Sequence, residues 1–292
     1  MIVEPGIYDE IPIKVYHGEK DWLSSTGLRM AKKSLKNFRL YMEGYYDEER
    51  KTHFDFGNAC EIALLEPENF HNEVAIFDPS QKPSPDQTFA ANVNKEWKAD
   101  FYEANSEKYI INQDGKESFR CIEEILKSCH ADAAIQKLIK NIEYQKSIYW
   151  IDLGTGLKLK TRPDICRTKN KVLVDVKTAL DGSPEAFSKA LGNNDLPFQA
   201  VMQIDGVIQS GLMEKVDNYY WLVLEKVAPF SATLYEFDPE DIKYCMDEYR
   251  YTLELVAEAK RTNKYPSYSQ RADNPHGILT ARLPAWYRNY GL

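Results

Sequence analysis

Asp164, Asp175 and Lys177 are spaced so that a single β-hairpin would bring them together. The hairpin would consist of two strands, residues 157–167 and 172–178, joined by a short turn. Both aspartates lie the same distance from the centre of that turn, so we expect them to face each other across the strand pair. Directly opposed residues in an antiparallel pair have Cβ atoms roughly 5 Å apart.

Two carboxylates at that distance repel each other unless a cation lies between them. Hard divalent cations prefer oxygen ligands, and carboxylates supply them. Lys177 follows Asp175 by two positions, so strand alternation predicts that its side chain lies on the same face. The pattern therefore offers metal ligands and a positive group to steer an attacking water, which is the chemistry of metal-assisted hydrolysis.

The alternative is that Asp175 and Lys177 form an ordinary solvent-facing pair. Their setting argues against it, because residues 172–174 and Val176 make a nearly continuous apolar run. Such a run is typical of a strand buried on both faces. Charged residues are rarely tolerated there without partners. The setting favours a functional role for the two charges.

Glu61 is a fourth candidate, far upstream of the hairpin. It lies in a predicted helix, residues 56–65, that is otherwise largely apolar. A buried carboxylate without a partner is costly. Either Glu61 points to solvent, or it faces something positive, such as a metal ion that Asp164 and Asp175 also bind.

Gln199 and Gln203 are polar positions on one face of a predicted helix, residues 197–210. Their neighbours in that helix are mostly apolar. The two glutamines either face the acidic residues or form a solvated stripe, and the helix alone leaves both possibilities open.

Composition describes an ordinary globular protein. The chain has 292 residues, 43% of them hydrophobic and 28% charged, enough to bury a sizeable core. Five cysteines are scattered without a Cys-x-x-Cys pair, which is typical of reduced thiols. The first residues show no basic segment followed by an apolar stretch, and no apolar run reaches membrane-spanning length. We expect a cytoplasmic protein, in a bacterium or a phage-infected host, without a membrane partner.

The formal net charge of −8 argues against a broadly basic, DNA-coating surface. It leaves room for a basic groove within an otherwise acidic exterior. Two groups of basic residues could line such a groove, one on the helix predicted after Ser24 and one on the first strand of the hairpin. They are Arg29, Lys32, Lys33, Lys36 and Arg39 in the first group, and Lys158, Lys160 and Arg162 in the second.

The predicted element order is helices, then a mixed sheet with helices inserted after the Asp-x-Lys strand, then a long amphipathic helix. This order predicts an α/β (α+β) fold with a central mixed β-sheet flanked by helices. We expect one domain, 1–292, with a helical part at about 20–140 and a catalytic core at about 145–265. Further strands are predicted at 145–152, 218–226 and 232–237, and further helices at 91–105, 117–127, 131–141, 184–191 and from 239 onward.

Other catalytic chemistries have little support. None of the five histidines pairs with cysteine or carboxylates at ligand spacing. The sequence contains no Gly-rich phosphate-binding loop and no Gly-x-Ser-x-Gly nucleophile motif.

Several ordered motifs together resemble the RecE (exonuclease VIII) family of phage and prophage nucleases. That family belongs to the PD-(D/E)xK superfamily, which includes the lambda-type exonuclease. The motifs are Tyr16-His17, Leu23-Ser24-Ser25-Thr26-Gly27-Leu28, Phe56-Gly57-Asn58-Ala59, Leu64-Leu65-Glu66-Pro67-Glu68-Asn69-Phe70, Ser147-Ile148-Tyr149-Trp150, Arg162-Pro163-Asp164, Asp175-Val176-Lys177-Thr178, Phe198-Gln199, Asp205-Gly206 and Leu283-Pro284-Ala285-Trp286.

The resemblance implies a restriction-endonuclease-like core in which Asp164 and Asp175 bind Mg²⁺ or Mn²⁺. Lys177 would contact the attacking water or the scissile phosphate, and Gln199 would be the family's glutamine. It implies a processive 5′→3′ exonuclease on linear double-stranded DNA with free ends, serving phage-type recombination. A ring-shaped homo-oligomer (trimer or tetramer) and a single-strand annealing partner are implied too. Arg29, Lys32, Lys33 and Arg162 are the candidate DNA-binding residues.

Two positions depart from the family pattern. RecE-type proteins place a histidine ligand where this chain has Glu61, whereas lambda-type relatives use glutamate, so a metal ligand is retained. Gln203 stands where the family has an aromatic residue, which leaves its role open. Two other readings remain, a structure-specific PD-(D/E)xK endonuclease and a non-catalytic DNA-end-binding scaffold.

Overall fold

The structure is a computed structural model that describes residues 4–9, 11–46, 52–140, 143–144, 146–270, 276–284 and 287. Within these residues the chain forms eleven α-helices and ten β-strands. The helices are α1 Ile13–Gly18, α2 Ser25–Lys33, α3 Leu35–Met42, α4 Thr52–Leu65, α5 Phe70–Glu73, α6 Asn92–Ala104, α7 Phe119–Ala131, α8 Ala133–Ile139, α9 Pro184–Asn193, α10 Leu196–Gln209 and α11 Pro239–Thr262. The strands are β1 Gly6–Tyr8, β2 Val74–Phe77, β3 Tyr109–Asn112, β4 Glu143–Tyr144, β5 Ser147–Ile151, β6 Lys158–Thr161, β7 Ile165–Arg167, β8 Val172–Ala179, β9 Asn218–Glu225 and β10 Ala232–Glu236.

A five-stranded mixed sheet lies at the centre, in the order β10-β9-β8-β7-β4. Strands β8 and β9 run parallel, and the other neighbouring pairs are antiparallel. Helices α9 and α10 make the crossover from β8 to β9. The predicted α/β fold, with a central mixed sheet and helices inserted after the Asp-x-Lys strand, is confirmed.

Two smaller sheets accompany the central one. Strands β1, β5 and β6 form an antiparallel sheet, and β2 pairs with β3 in parallel. The prediction of one continuous strand over residues 157–167 is therefore wrong, because its two halves, β6 and β7, belong to different sheets. Pro163 lies at the break. Proline has no N–H to donate to a sheet ladder, which favours an interruption at this point.

Strand β8 is buried on both faces, as its apolar run predicted. Leu173 packs into a core shared with helices α2, α10 and α11. Val174 and Val176 pack into a second core on the opposite face, shared with α4 and α7. The alternating side chains of one strand therefore join both hydrophobic cores, and this fixes the strand firmly between them.

Helix α10 packs closely against the sheet of β5 and β6. A Cβ atom at Gly206 would lie 2.9 Å from both the Thr161 methyl group and the Trp150 ring. Only glycine permits this approach without displacing a neighbour. The helix before it, α9, begins where Ser183 predicts, since the Ser183 hydroxyl accepts a hydrogen bond from Ala186 N.

The helix predicted after Ser24 is confirmed as α2, but the segment 29–39, which carries the first group of basic residues, does not form one helix. It is divided at Ser34, where α2 ends and α3 begins, and Ser34 Oγ accepts a hydrogen bond from Asn37 N. Ser24 occupies the predicted N-cap position of α2, but its side chain makes no capping hydrogen bond.

Some predicted boundaries cannot be compared. Asn141 and Gln145, the ends of one predicted helix and one predicted strand, lie outside the described residues, as do Ala285 and Trp286 of the closing motif. Among the helices that the structure describes, we find none with the length and apolar character needed to cross a membrane.

Candidate active site

Asp175 lies in the middle of β8 with only 1% of its surface exposed. Gln199 on α10 donates a hydrogen bond from Nε2 to Asp175 Oδ1 at 3.0 Å. The Lys177 ammonium lies 2.5 Å from Asp175 Oδ2. The two groups form an ion pair inside the protein. The prediction that Lys177 lies on the same face as Asp175 is confirmed.

Asp164 lies immediately before β7, at the end of the hairpin. The register pairs Ile165 with Val174, so Asp164 is level with Asp175, as the turn position predicted. Asp164 Oδ2 accepts a hydrogen bond from Val176 N at 2.6 Å. The carboxylate thus bonds to the β8 backbone just beyond the end of β7.

The pKa values of Asp164 and Lys177 both depend on their buried, charged surroundings. Burial raises the pKa of the Asp164 carboxyl well above its ordinary value, and the negative charges of Glu61 and Asp175 raise it further. Lys177 and the Val176 N–H oppose this shift. Burial by itself would lower the pKa of Lys177, but the charges of Asp175 and Asp164 outweigh it and raise the pKa. Lys177 is therefore a cation at neutral pH.

Glu61 is half-buried on α4 and lines the same cleft as Asp164. Its charge also acts on the guanidinium of Arg162 and on the Lys177 ammonium. The charge of Glu61 also raises the pKa of Asp164, so the residue acts on the acidic group, and its binding of a metal ion stays a prediction. The structure thus brings Glu61, Asp164, Asp175, Lys177 and Gln199 together.

The cleft has a volume of about 980 Å³. One wall comes from the N-terminal segment and includes Tyr16 and Trp22, and another comes from the start of α2 and includes Arg29. Gln199 and Gln203 on α10 line the cleft as well. A space of this size, lined by both aromatic and acidic residues, is typical of a ligand site.

The predicted DNA-binding residues are placed in different environments. Arg29 lines the cleft and donates from Nη1 to Asn194 O at 2.7 Å. Arg162 also lines it and donates from Nη2 to Ile11 O at 2.8 Å. Lys33 is exposed on α2.

Lys32 lies outside the lining of the cleft. Its ammonium lies 2.9 Å from Asp195 and 2.7 Å from Glu248, and 5.4 Å from the centre of the Phe198 ring. These partners join α2 to α11 and to the start of α10. The contacts explain a structural role for Lys32, and a role in binding DNA stays a prediction.

Lys160 and Tyr219 belong to the site but carried no clear signal in the sequence. Lys160 seemed to be one of three alternating basic residues, yet it is only 3% exposed and its ammonium donates to Tyr16 O and, at 2.7 Å, to Glu19 O. Burial lowers the pKa of Lys160 to about 8. Tyr219 on β9 donates to Gln203 Oε1 at 2.7 Å. Both contacts join segments that are distant in the sequence.

The donor set suits a hard divalent cation. Burial and the negative charges of Glu61 and Asp175 raise the pKa of Asp164, and a cation beside its carboxylate would favour the charged form. Within the described residues, however, no three His, Cys, Asp or Glu side chains are arranged to hold a metal ion. The Lys177 ammonium occupies the position beside Asp175 Oδ2.

The fold and the acidic hairpin define a PD-(D/E)xK-like α/β domain. The chain belongs to the family described as a PDDEXK-like domain of unknown function (DUF3799), whose model matches residues 24–275. No curated protein matches the chain.

One solved structure has a similar fold, a “Putative exonuclease” from Eubacterium rectale. It is 13% identical to this chain, with a TM-score of 0.59, and the match covers 97% of this chain and 99% of that one. The structure of SSO0001 is 14% identical, with a TM-score of 0.28 over 71% of this chain and 87% of that one.

Proposed function

We propose that the protein is a metal-dependent nuclease that hydrolyses DNA phosphodiesters. The observation that carries this proposal is the convergence of Asp164, Asp175 and Lys177 beside a cleft, with Glu61 on the facing helix. A cluster of carboxylates beside one ammonium is suited to phosphoryl chemistry, since the substrate is an anion that carboxylates alone would repel. Membership of a PDDEXK-like family supports the same conclusion.

Asp164, Asp175 and Glu61 would hold Mg²⁺ or Mn²⁺. Such a cation polarises a phosphate and makes water more acidic. Lys177 then stabilises negative charge on the attacking water and on the phosphate. Gln199 holds the Asp175 carboxylate in one orientation through its hydrogen bond to Oδ1.

The finer proposal is a processive 5′→3′ exonuclease of RecE (exonuclease VIII) type, acting on linear duplex DNA in phage-type recombination. The ordered motifs of the sequence support it. The Eubacterium rectale protein of similar fold is named a putative exonuclease, which favours an exonuclease over an endonuclease. A ring-shaped trimer or tetramer, a single-strand annealing partner and a cytoplasmic location complete this proposal, and these rest on the sequence alone.

Digestion of end-labelled linear duplex, with Mg²⁺, with Mn²⁺ and with EDTA, tests the proposal. We expect loss of label from the 5′-labelled strand with either cation and none with EDTA. Asp175→Ala should be inactive, while Lys189→Met, a change of an exposed lysine on α9, should digest like the wild type. If the wild-type protein leaves linear duplex intact with both cations, the proposed nuclease activity is refuted.

Covalently closed circular DNA separates the two nuclease classes. An exonuclease needs an end, so the closed circle should survive conditions that consume the linear form. Cutting of the closed circle would identify a structure-specific endonuclease instead. Binding of duplex ends by an inert wild type would identify a non-catalytic scaffold.

A further inference from the structure

Gln203 lies one helical turn after Gln199 on α10, and both residues line the cleft. Their amides are used in opposite ways. Gln199 donates a hydrogen bond from Nε2 to Asp175 Oδ1. Gln203 instead accepts one, from the Tyr219 hydroxyl to its Oε1 atom at 2.7 Å. An amide has two donor hydrogens on nitrogen in addition to its carbonyl oxygen. The donors of Gln203 therefore lie on the side of its amide opposite to Tyr219.

Tyr219 fixes this orientation over the whole working pH range. Burial raises the pKa of its phenol well above the ordinary value, and the charges of Asp175 and Asp164 add to the shift. The phenol therefore keeps its proton and continues to donate to the Gln203 carbonyl. Tyr219 is fully buried, so its hydroxyl cannot exchange Gln203 for water, whereas the small exposed part of Gln203 borders the cleft.

We infer that Gln203 binds a phosphate oxygen of the substrate strand with its Nε2 group, and that Tyr219 is a positioning residue holding that group in place. The inference rests on the proposed nuclease function. A neutral donor is suited to this position, because Glu61 and Asp164 line the cleft and their negative charges repel an anion. The donor attracts the phosphate without forming a competing ion pair with these carboxylates.

Gln203→Met tests the inference, because it keeps side-chain length and removes the amide. A hydrogen bond to a charged group is worth enough that its loss should raise KM for linear duplex about tenfold. The value of kcat should change little, because the contact is made in both the bound substrate and the transition state. Fluorescence anisotropy of end-labelled duplex in EDTA should show the same loss in Kd, independently of turnover.

Gln209→Met is the matched control. Gln209 lies on the same helix, and its Nε2 bonds to Asp152 and Asp205 at 2.9 Å, away from the residues that line the cleft. This variant should lower Tm but leave KM and Kd at wild-type values. If Gln203→Met also lowers Tm and leaves KM and Kd unchanged, Gln203 has only a structural role and the inference is overturned.

Tyr219→Phe gives a second test if Gln203→Met does not fold. The phenylalanine removes only the hydroxyl, so Gln203 remains but loses its fixed orientation. KM and Kd should rise by less than in Gln203→Met, and the double variant should be no worse than Gln203→Met. Wild-type values of both constants in Tyr219→Phe would overturn the role of Tyr219.

The failure of this inference differs from failure of the proposed function. If the wild type digests DNA and the Gln203 and Tyr219 variants have the same KM and Kd as the wild type, only the inference is overturned. A wild type that neither binds nor digests duplex DNA overturns both.

Discussion

The Asp164 carboxylate bonds to the backbone of β8 where the neighbouring strand has ended. Its Oδ2 atom accepts the Val176 N–H at 2.6 Å. One side chain therefore satisfies a donor of the sheet and also lies among the acidic residues of the cleft. Structure and charge can be separated at this position, because asparagine keeps an acceptor oxygen whereas alanine keeps none.

We expect Asp164→Asn and Asp164→Ala to be equally inactive on linear duplex but to differ in stability. Without added metal, Asp164→Asn should be at least as stable as the wild type, because it removes a buried charge that Glu61 and Asp175 repel. Asp164→Ala leaves the Val176 N–H without its acceptor, which should cost about 1–3 kcal/mol. Urea unfolding in EDTA measures both free energies. An Asn variant that unfolds as easily as the Ala variant would show that the charge, not the hydrogen bond, stabilises this region.

Lys177→Met should lower kcat roughly 10²–10³-fold, the usual cost of removing one group that stabilises transition-state charge. The ammonium is the positive group closest to Asp175, and its raised pKa keeps it charged at neutral pH. Single-turnover digestion of linear duplex gives the rate, and far-UV circular dichroism checks the fold. Undiminished digestion by this variant would mean that the assigned site is wrong.

Much of this site follows from local sequence. The turn position predicts that Asp164 is level with Asp175, because register in a hairpin depends only on where the loop is centred. Strand alternation predicts the shared face of Asp175 and Lys177 in the same way. The apolar run of β8 predicts burial on both faces, and the structure confirms it.

The remaining features depend on contacts between distant segments. Lys32 looked like a DNA-binding residue, yet Asp195 and Glu248 neutralise it, and neither is near it in the sequence. The Gln203–Tyr219 pair and the contacts of Lys160 with the N-terminal segment are similar cases. Periodicity carries no information about such pairs, because it reports which face a residue occupies and not what lies opposite.

Gly206→Ala should destabilise the protein by about 1–3 kcal/mol through overpacking. The new methyl group would meet Trp150 and Thr161 at 2.9 Å, closer than carbon atoms approach each other. Gly192→Ala on α9 is the control, because a Cβ there meets nothing within 4 Å. That change should be neutral or should stabilise by up to about 1 kcal/mol, since alanine favours helix. Urea unfolding of both variants distinguishes local packing from a general effect of removing glycine.

Arg250 joins two buried carboxylates on different elements. Its guanidinium forms ion pairs with Asp152 and Asp205, which are only 1% and 6% exposed. Arg250→Met would leave both charges without their cation, which should cost about 3 kcal/mol. Arg261→Met removes an exposed pair with Glu258 on the same helix and should cost less than about 1 kcal/mol. Equal unfolding free energies for the two variants would contradict the structural role of Arg250.

Lys160 should make the stability of the protein depend on alkaline pH. Burial lowers its pKa from 10.5 in the unfolded chain to about 8 in the folded one, so between these values the unfolded chain binds the proton and the folded chain does not. The contribution of Lys160 to stability is therefore fully present above pH 10.5 and is lost as the pH falls through about 8.

The difference in unfolding free energy between the wild type and Lys160→Met isolates this effect, because all other titrating groups are common to both proteins. We expect the wild type to gain stability relative to the variant as the pH rises from 7 to 10, in urea unfolding at each pH. Tyr16 O and Glu19 O still receive hydrogen bonds from a neutral amine, so the N-terminal segment should stay in place throughout. If the difference in unfolding free energy between the two proteins is constant over this pH range, Lys160 titrates in the folded protein as it does in the unfolded chain.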